Sequence, residues 1–450
     1  MNSKNDFSFF GTQPIGKLLW MLAPPVMLSQ LIQAFYNIAD SFFVGKFSND
    51  GVTALSVIYP VQLLLLAVAV GTGVGVNTVM AKFYGHGENE KAAKTAGTGL
   101  FLALIGWVIF AVLSVLLLEP FIRICAQSQQ VRDYTLTYGR IVCVGSLGVF
   151  IESNQSKVLQ AQGDMKTPMI AQVTGALTNI VLDPILIFGW GFIPKMDIAG
   201  AAIATVIGQF VSAAIVSAKS LCKPPRFSEM SSLIRDIYKL GAPSIVMQAL
   251  YTTYIAGLNL VLVGFSDAAV TVLGLYYKWQ AFFFIPLFGL QTCVVPIISY
   301  NNAIGRQDRC RKILRCSILI SASFMILGMI GFIFFPAQLI GLFSSDEKTL
   351  EIGVTAFRII ALCFLPASLS LMYPVYFQAL GKGRESVFVT VFRQVILLVP
   401  LAWVFSFFGL DYVWITFPVT EILTSVLALY YDRKIQKSSQ TSIESKEPKT

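Results

Sequence analysis

Twelve apolar runs, each bounded by charge, glycine or proline and each long enough to cross a bilayer, constrain this chain more than any other feature. They fall at about 17–45, 52–81, 95–118, 133–156, 167–190, 198–221, 236–264, 268–298, 313–336, 351–379, 386–408 and 412–431. The fold class that follows is an all-α integral membrane protein with twelve transmembrane helices. Composition agrees, since 55% hydrophobic and 13% charged residues in a chain of 450 describe a membrane protein rather than a soluble enzyme. The net charge of +9 then requires no nucleic-acid partner. Seven cysteines are scattered, odd in number and without a CxxC pair, which reads as packing thiols rather than a disulfide frame. The opening stretch, MNSKNDFSFFGTQPIGK, lacks a basic region followed by a short apolar core and a cleavage site, so a retained arm over 1–14 is expected.

Charge in the connections orients the helices. With the N-terminus inside, the inner connections hold Lys82, Lys91, Lys94, Lys157, Lys166, Lys219, Lys223, Arg226, Arg235, Lys239, Arg306, Arg309, Arg311, Lys312, Arg315, Lys382 and Arg384. The outer ones hold Lys46, Arg123, Arg132, Lys195 and Lys348. This bias predicts both termini on the cytoplasmic side of the membrane. A polar, Ser- and Lys-rich tail over 432–450 reads as disordered.

The chain is also a repeat. GENEK at 87–91 matches GRQDR at 305–309, LQAQGDMK at 159–166 matches FQALGKGR at 377–384, and Arg140 matches Arg358, all at one shift. At a shift one residue larger, Ala23-Pro24 aligns with Ala242-Pro243 and Val44-Gly45 with Val263-Gly264. Two pseudo-symmetric six-helix lobes are implied, 15–221 and 236–431, joined by a basic linker at 222–235.

Against this symmetry the acids are one-sided. The first run carries Asp40 in its final turns, with Gln33, Tyr36 and Asn37 on the same helical face. The fifth reads TNIVLDPILIFG, placing Asn179 and Asp183 at i, i+4, with Gln172 and Gly175 further back on the stripe. The counterpart of Asp40 is Asn259, and the eleventh run has Pro400 but no acid in that region. An ionisable group inside a membrane helix is a functional candidate by default. Pro24-Pro25 and Pro184 remove helix hydrogen bonds and mark expected points of bending.

These residues carry a resemblance. Asn37-x-x-Asp40-x-x-Phe43-Val44-Gly45, the LQAQGDMKTPM stretch, Asn179-x-x-x-Asp183-Pro184 and GAAIAT at 200–205 resemble bacterial multidrug and toxic compound extrusion (MATE) transporters, over residues from about 15 to 432. The resemblance implies two lobes around a cavity and export of cationic, lipophilic drugs in exchange for Na⁺ or H⁺, with no other cofactor. It also implies that Asp40, Asn179, Asp183 and Thr205 bind the coupling cation, with Asp40, Asn179 and Asp183 as Na⁺ ligands if sodium is that cation. A second branch of the family uses acids in the seventh and tenth helices, and the apolar interiors of those runs contain none.

Other readings stand beside these. Asp40 and Asp183 are the kind of residue that also makes structural hydrogen bonds, and Asn179 and Thr205 the kind that glues helices. Lys278 and Glu421, both deep in apolar runs, are read either as an ion pair or as cavity residues, and Glu152 and Arg393 as snorkelling side chains or an inner gate. Gln33, Tyr36, Asn37, Tyr254, Lys278, Phe283, Met372 and Tyr376 are candidates for a cavity that holds flat cations. His86, the sole histidine, lies in a loop. A flippase for lipid-linked saccharides is the alternative function; it calls for cations in the first lobe to hold a pyrophosphate. The expected setting is a bacterial inner membrane, with lipids and small cationic drugs as partners and a monomeric chain.

Overall fold

A computed structural model describes residues 7–125, 128–191, 193–344 and 346–444, with backbone alone at 37–39, 41, 47, 49, 252 and 438–444. Nine spans are long helices without a sharp bend: α1 (Ile15–Phe47), α2 (Asn49–Gly85), α3 (Asn89–Cys125), α5 (Lys166–Phe188), α6 (Asp197–Ser220), α7 (Phe227–Val263), α9 (Gln307–Phe334), α11 (Gly383–Ser406) and α12 (Leu410–Glu444). Three more are bent pairs: α4a (Gln129–Val144) with α4b (Leu147–Ala161) at 45°, α8a (Asp267–Phe283) with α8b (Ile285–Ala303) at 52°, and α10a (Glu347–Ala361) with α10b (Phe364–Ala379) at 56°. Among the described residues the spans therefore number twelve.

Their surfaces follow from the solvent they face. On α3, Leu104, Ile105, Val108, Ile109, Val112 and Leu116 recur at helical spacing and are all exposed, while Thr95, Gly99, Leu102 and Ala103 are buried. An apolar stripe of that length facing outward is a lipid surface.

The repeat is visible in the backbone. Helices α2 and α8a, α3 and α9, and α4a and α10a begin at positions 218 residues apart, and both α4 and α10 break after their first half. The turns after α2 and α8b each use a glycine at φ +75° (Gly87 and Gly305), and those after α4b and α10b one at +82° and +79° (Gly163 and Gly381). These left-handed turns, which a side chain would strain, are the matched GENEK/GRQDR and LQAQGDMK/FQALGKGR motifs.

The bends fall away from the expected prolines. Helix α1 runs through Pro24 and Pro25 and α5 through Pro184, whereas the breaks lie at 145–146, 284 and 362–363. The break at 284 precedes Pro286, which has no N–H to continue the ladder. The linker and tail read from composition are partly helical: α7 begins at Phe227 and α12 continues to Glu444.

By proximity the chain divides into two compact units, residues 1–249 with 288–313, and 250–287 with 314–450. The cuts fall inside α7, near the start of α8b and inside α9, so this partition differs from the one the repeat defines. In the first unit the arm is pinned. Phe10 is fully buried, and its carbonyl accepts from Asn301 Nδ2 (3.0 Å) and Arg309 Nη2 (3.1 Å). Arg306 donates to the Gly11 carbonyl at 2.7 Å, and Phe7 stacks on Tyr84 at 3.8 Å. The second unit is built on aromatic packing, with Phe332 stacked on Phe357 at 4.4 Å and Phe283, Phe364 and Tyr276 around them.

Candidate functional site

A close helix crossing in the first unit's polar interior positions its side chains. Gly175 on α5 and Gly208 on α6 meet so tightly that a Cβ on Gly208 would lie 2.6 Å from the Gly175 carbonyl, and Ser212 Oγ donates to the Ala171 carbonyl at 2.9 Å. One turn beyond the crossing, Asn179 Nδ2 donates to Thr205 Oγ1 at 3.3 Å. Asp183 follows on the same α5 stripe and is fully buried. Helix α1 packs against α5 and brings Asp40, 9% exposed, close enough for Asp183 to feel its charge.

What distinguishes this cluster is unused bonding capacity. Both carboxylate oxygens of Asp183, Oδ1 of Asp40 and Oδ1 of Asn179 are buried without a protein hydrogen-bond partner. No lysine or arginine forms an ion pair with either acid among the described residues. Two neighbouring carboxylates in a low-dielectric interior cannot both remain charged unless a cation or a proton joins them. The donor set is all oxygen, which suits a small hard cation and equally a shared proton.

Three further residues belong to the cluster. The Tyr36 and Tyr138 side chains lie beside Thr205, and Tyr138 also beside Gln62, with Asp40 next to both tyrosines. Tyr36 is among the sequence candidates; Tyr138 and Gln62 are not. Thr135, Tyr138 and Val142 form a buried i, i+3, i+7 stripe on α4a, which is the one sequence signal that could have drawn attention to that tyrosine.

The second unit treats its buried acid differently. Glu421 on α12 does not pair with Lys278, as the depth of the two residues suggests. Arg393 Nε and Nη2 donate to Glu421 Oε1 at 2.9 and 2.6 Å, and Ser370 Oγ donates to Oε2. Arg393 sits in a wide π-turn, Phe392–Leu398, within α11, and is buried rather than snorkelling. Lys278 is exposed, its ammonium 5.1 Å from the Phe343 ring centre.

The remaining cavity candidates are dispersed. Gln33 is exposed, Tyr254, Met372 and Tyr376 are buried, and Phe283 is half-buried between Trp279 and Phe332. The Asn37 side chain lies outside the described ones. Among the described residues no three His, Cys, Asp or Glu side chains gather into a metal site.

The MatE family profile matches residues 25–185 and 243–404, one match in each half of the repeat. A FAD transporter from Shewanella oneidensis is 25% identical over 435 residues, covering 94% of this chain and 95% of that protein. A probable multidrug resistance protein, NorM, from Thermotoga maritima is 27% identical over 77% of this chain and 76% of its own length. The solved structure of a MOP superfamily transporter from Pyrococcus furiosus superposes with a TM-score of 0.88 at 22% identity, covering 95% of this chain and 97% of that one.

Proposed function

We propose that this chain, which belongs to the MatE family, binds its coupling cation between Asp40 and Asp183. It is a multi-pass inner-membrane transporter, not an enzyme, and works as a secondary active exporter driven by a cation gradient. The observation that carries the reading is the set of buried, unpartnered oxygens on Asp40, Asn179 and Asp183. Na⁺ would take those oxygens as ligands, with the Thr205 hydroxyl beside them; H⁺ would be shared by the two carboxylates. Tyr36 and Tyr138 lie beside Thr205 and Asp40.

The cargo we assign is a cationic, lipophilic compound, by likeness to the multidrug relative. Gln33, Tyr36, Asn37, Tyr254, Lys278, Phe283, Met372 and Tyr376 are retained as cavity candidates, both termini are placed in the cytoplasm by the positive-inside bias, and the chain acts as a monomer. Binding of cation and of drug must favour different conformations for one to drive the other. The full-length likeness to a FAD transporter supports a second cargo reading, a flavin nucleotide. Reconstituted protein distinguishes all of these: ethidium and FAD fluxes are followed under Na⁺ and pH gradients imposed separately. The proposal requires ethidium efflux under one gradient, lost in Asp40→Asn and Asp183→Asn with drug binding in detergent retained. Flux of FAD alone would transfer the cargo assignment to the flavin.

A further inference from the structure

The α5 stripe that carries Asn179 and Asp183 continues back to Gln172, eleven residues or about 16 Å from Asp183. There it meets a third acid of the first unit. Glu152 on α4b accepts from Ser156 Oγ at 2.8 Å and lies within hydrogen-bonding reach of Gln172 and Ser153. On the same face of α4b, Gln155 is fully buried with neither amide atom partnered. Among the described residues, the cation whose charge reaches Glu152 is Lys157, whose ammonium instead donates to Gln160 Oε1 at 2.9 Å. Lys157 itself is wedged against Gly73 of α2, and its carbonyl accepts from Asn77 at 2.8 Å.

An acid in a membrane helix that is neither ion-paired nor exposed is expensive to keep, so its partners indicate its use. Glu152 is surrounded by two hydroxyls and an amide, which solvate a charge without cancelling it, and by one ammonium held out of contact. Such a group attracts a cation arriving along α5 but does not trap it, because Lys157 opposes tight retention. Transient stations of this kind are what conduction requires.

We propose that Glu152, with Gln172 and Gln155, is an inner relay station that receives the coupling cation from Asp183 and passes it to the cytoplasmic side, and that Lys157 sets how briefly it stays. This rests on the assignment of the coupling site to Asp40 and Asp183. The path is one-sided, since the position 218 residues on from Glu152 is Ser370, already engaged by Glu421.

The test uses full-length protein in proteoliposomes and in detergent. Glu152→Gln should slow gradient-driven ethidium efflux about tenfold or more, with Glu152→Asp restoring much of the rate. Neither change should alter cation binding at the upper site, read as the Na⁺- or proton-induced rise in melting temperature, by more than about twofold in midpoint. Lys157→Met should lower the inner cation concentration that half-inhibits efflux about tenfold, because the cation leaves more slowly. Should Glu152→Gln fail to fold, Gln172→Ala interrupts the same hand-over and carries the same expectation. Efflux within twofold of wild type in Glu152→Gln, or in Gln172→Ala, would overturn the relay. An Asp183→Asn protein that still pumps would overturn the coupling site itself, so the two failures are separable.

Discussion

The two compact units each bury acid inside membrane helices and resolve its charge in opposite ways. In the second unit Glu421 is fully engaged, by two donors of Arg393 and by Ser370. In the first, Asp40 and Asp183 lie near each other with three carboxylate oxygens unpartnered. An internally neutralised acid holds a structure together, whereas an unneutralised pair has a place for a cation. The repeat makes the contrast sharper, because the same backbone plan underlies both, down to the glycine turns at Gly163 and Gly381.

Replacing the unpaired acids should therefore cost function and spare the fold. In Asp183→Asn and Asp40→Asn, gradient-driven efflux should drop by about a hundredfold or more, while the melting temperature holds or rises as an unsatisfied buried charge is removed. Efflux assays and thermal unfolding on the same preparations check both halves of that statement.

Replacing the paired acid should do the reverse. Glu421→Gln leaves Arg393 buried without a counter-charge, an expected loss of about 3–5 kcal/mol in stability. Efflux per folded molecule should change little. The double change Arg393→Met with Glu421→Leu should recover most of the loss, because an apolar pair of similar volume replaces a buried ion pair at small net cost. Denaturation of wild type, Arg393→Met, Glu421→Leu and the double variant gives the coupling energy directly.

Smaller effects refine the picture. Thr205→Val keeps the shape and removes the hydroxyl that accepts from Asn179 and lies beside Tyr36 and Tyr138. It should weaken the apparent affinity for the cation by about tenfold with maximal rate preserved, measured by titrating the driving ion. The smallest concerns one matched pair of helix starts. Asp346 caps α10a by accepting from the backbone N–H and the hydroxyl of Thr349, which hold its carboxyl below the usual range, whereas Ser128 makes no such cap on α4a. A depressed carboxyl stabilises the fold at pH above its ordinary value and loses that contribution as pH falls through the depressed one. Hydrogen exchange at the start of α10a should thus accelerate below about pH 4, with no matching change at α4a.

How far the sequence reaches can be judged from these same residues. The twelve spans, the repeat and the position of acids on apolar helices are properties of periodicity and cost, and they can be read directly. Asn179 and Asp183 share a stripe because 3.6 residues make a turn, and no tertiary information is needed for that. Partners across helices are another matter. Arg393 reaches Glu421 through the π-turn at 392–398, which rotates the side chain relative to a regular helix, and Lys278 points elsewhere although its depth is right. Tyr138 escaped notice because α4a carries Arg132, Asp133 and Arg140 and resembles a surface helix until its bend is known. The bends themselves avoid Pro24, Pro25 and Pro184, since prolines inside long membrane helices are accommodated by neighbours.

The most direct measurement is a count of coupling cations bound by the purified chain, by equilibrium binding of radioactive Na⁺ at neutral pH beside proton uptake on acidification. Wild-type protein and Glu421→Gln should each bind a cation that Asp40→Asn and Asp183→Asn do not. Equal binding by wild type and Asp183→Asn, with loss in Glu421→Gln, would contradict the account and move the coupling site to the second unit.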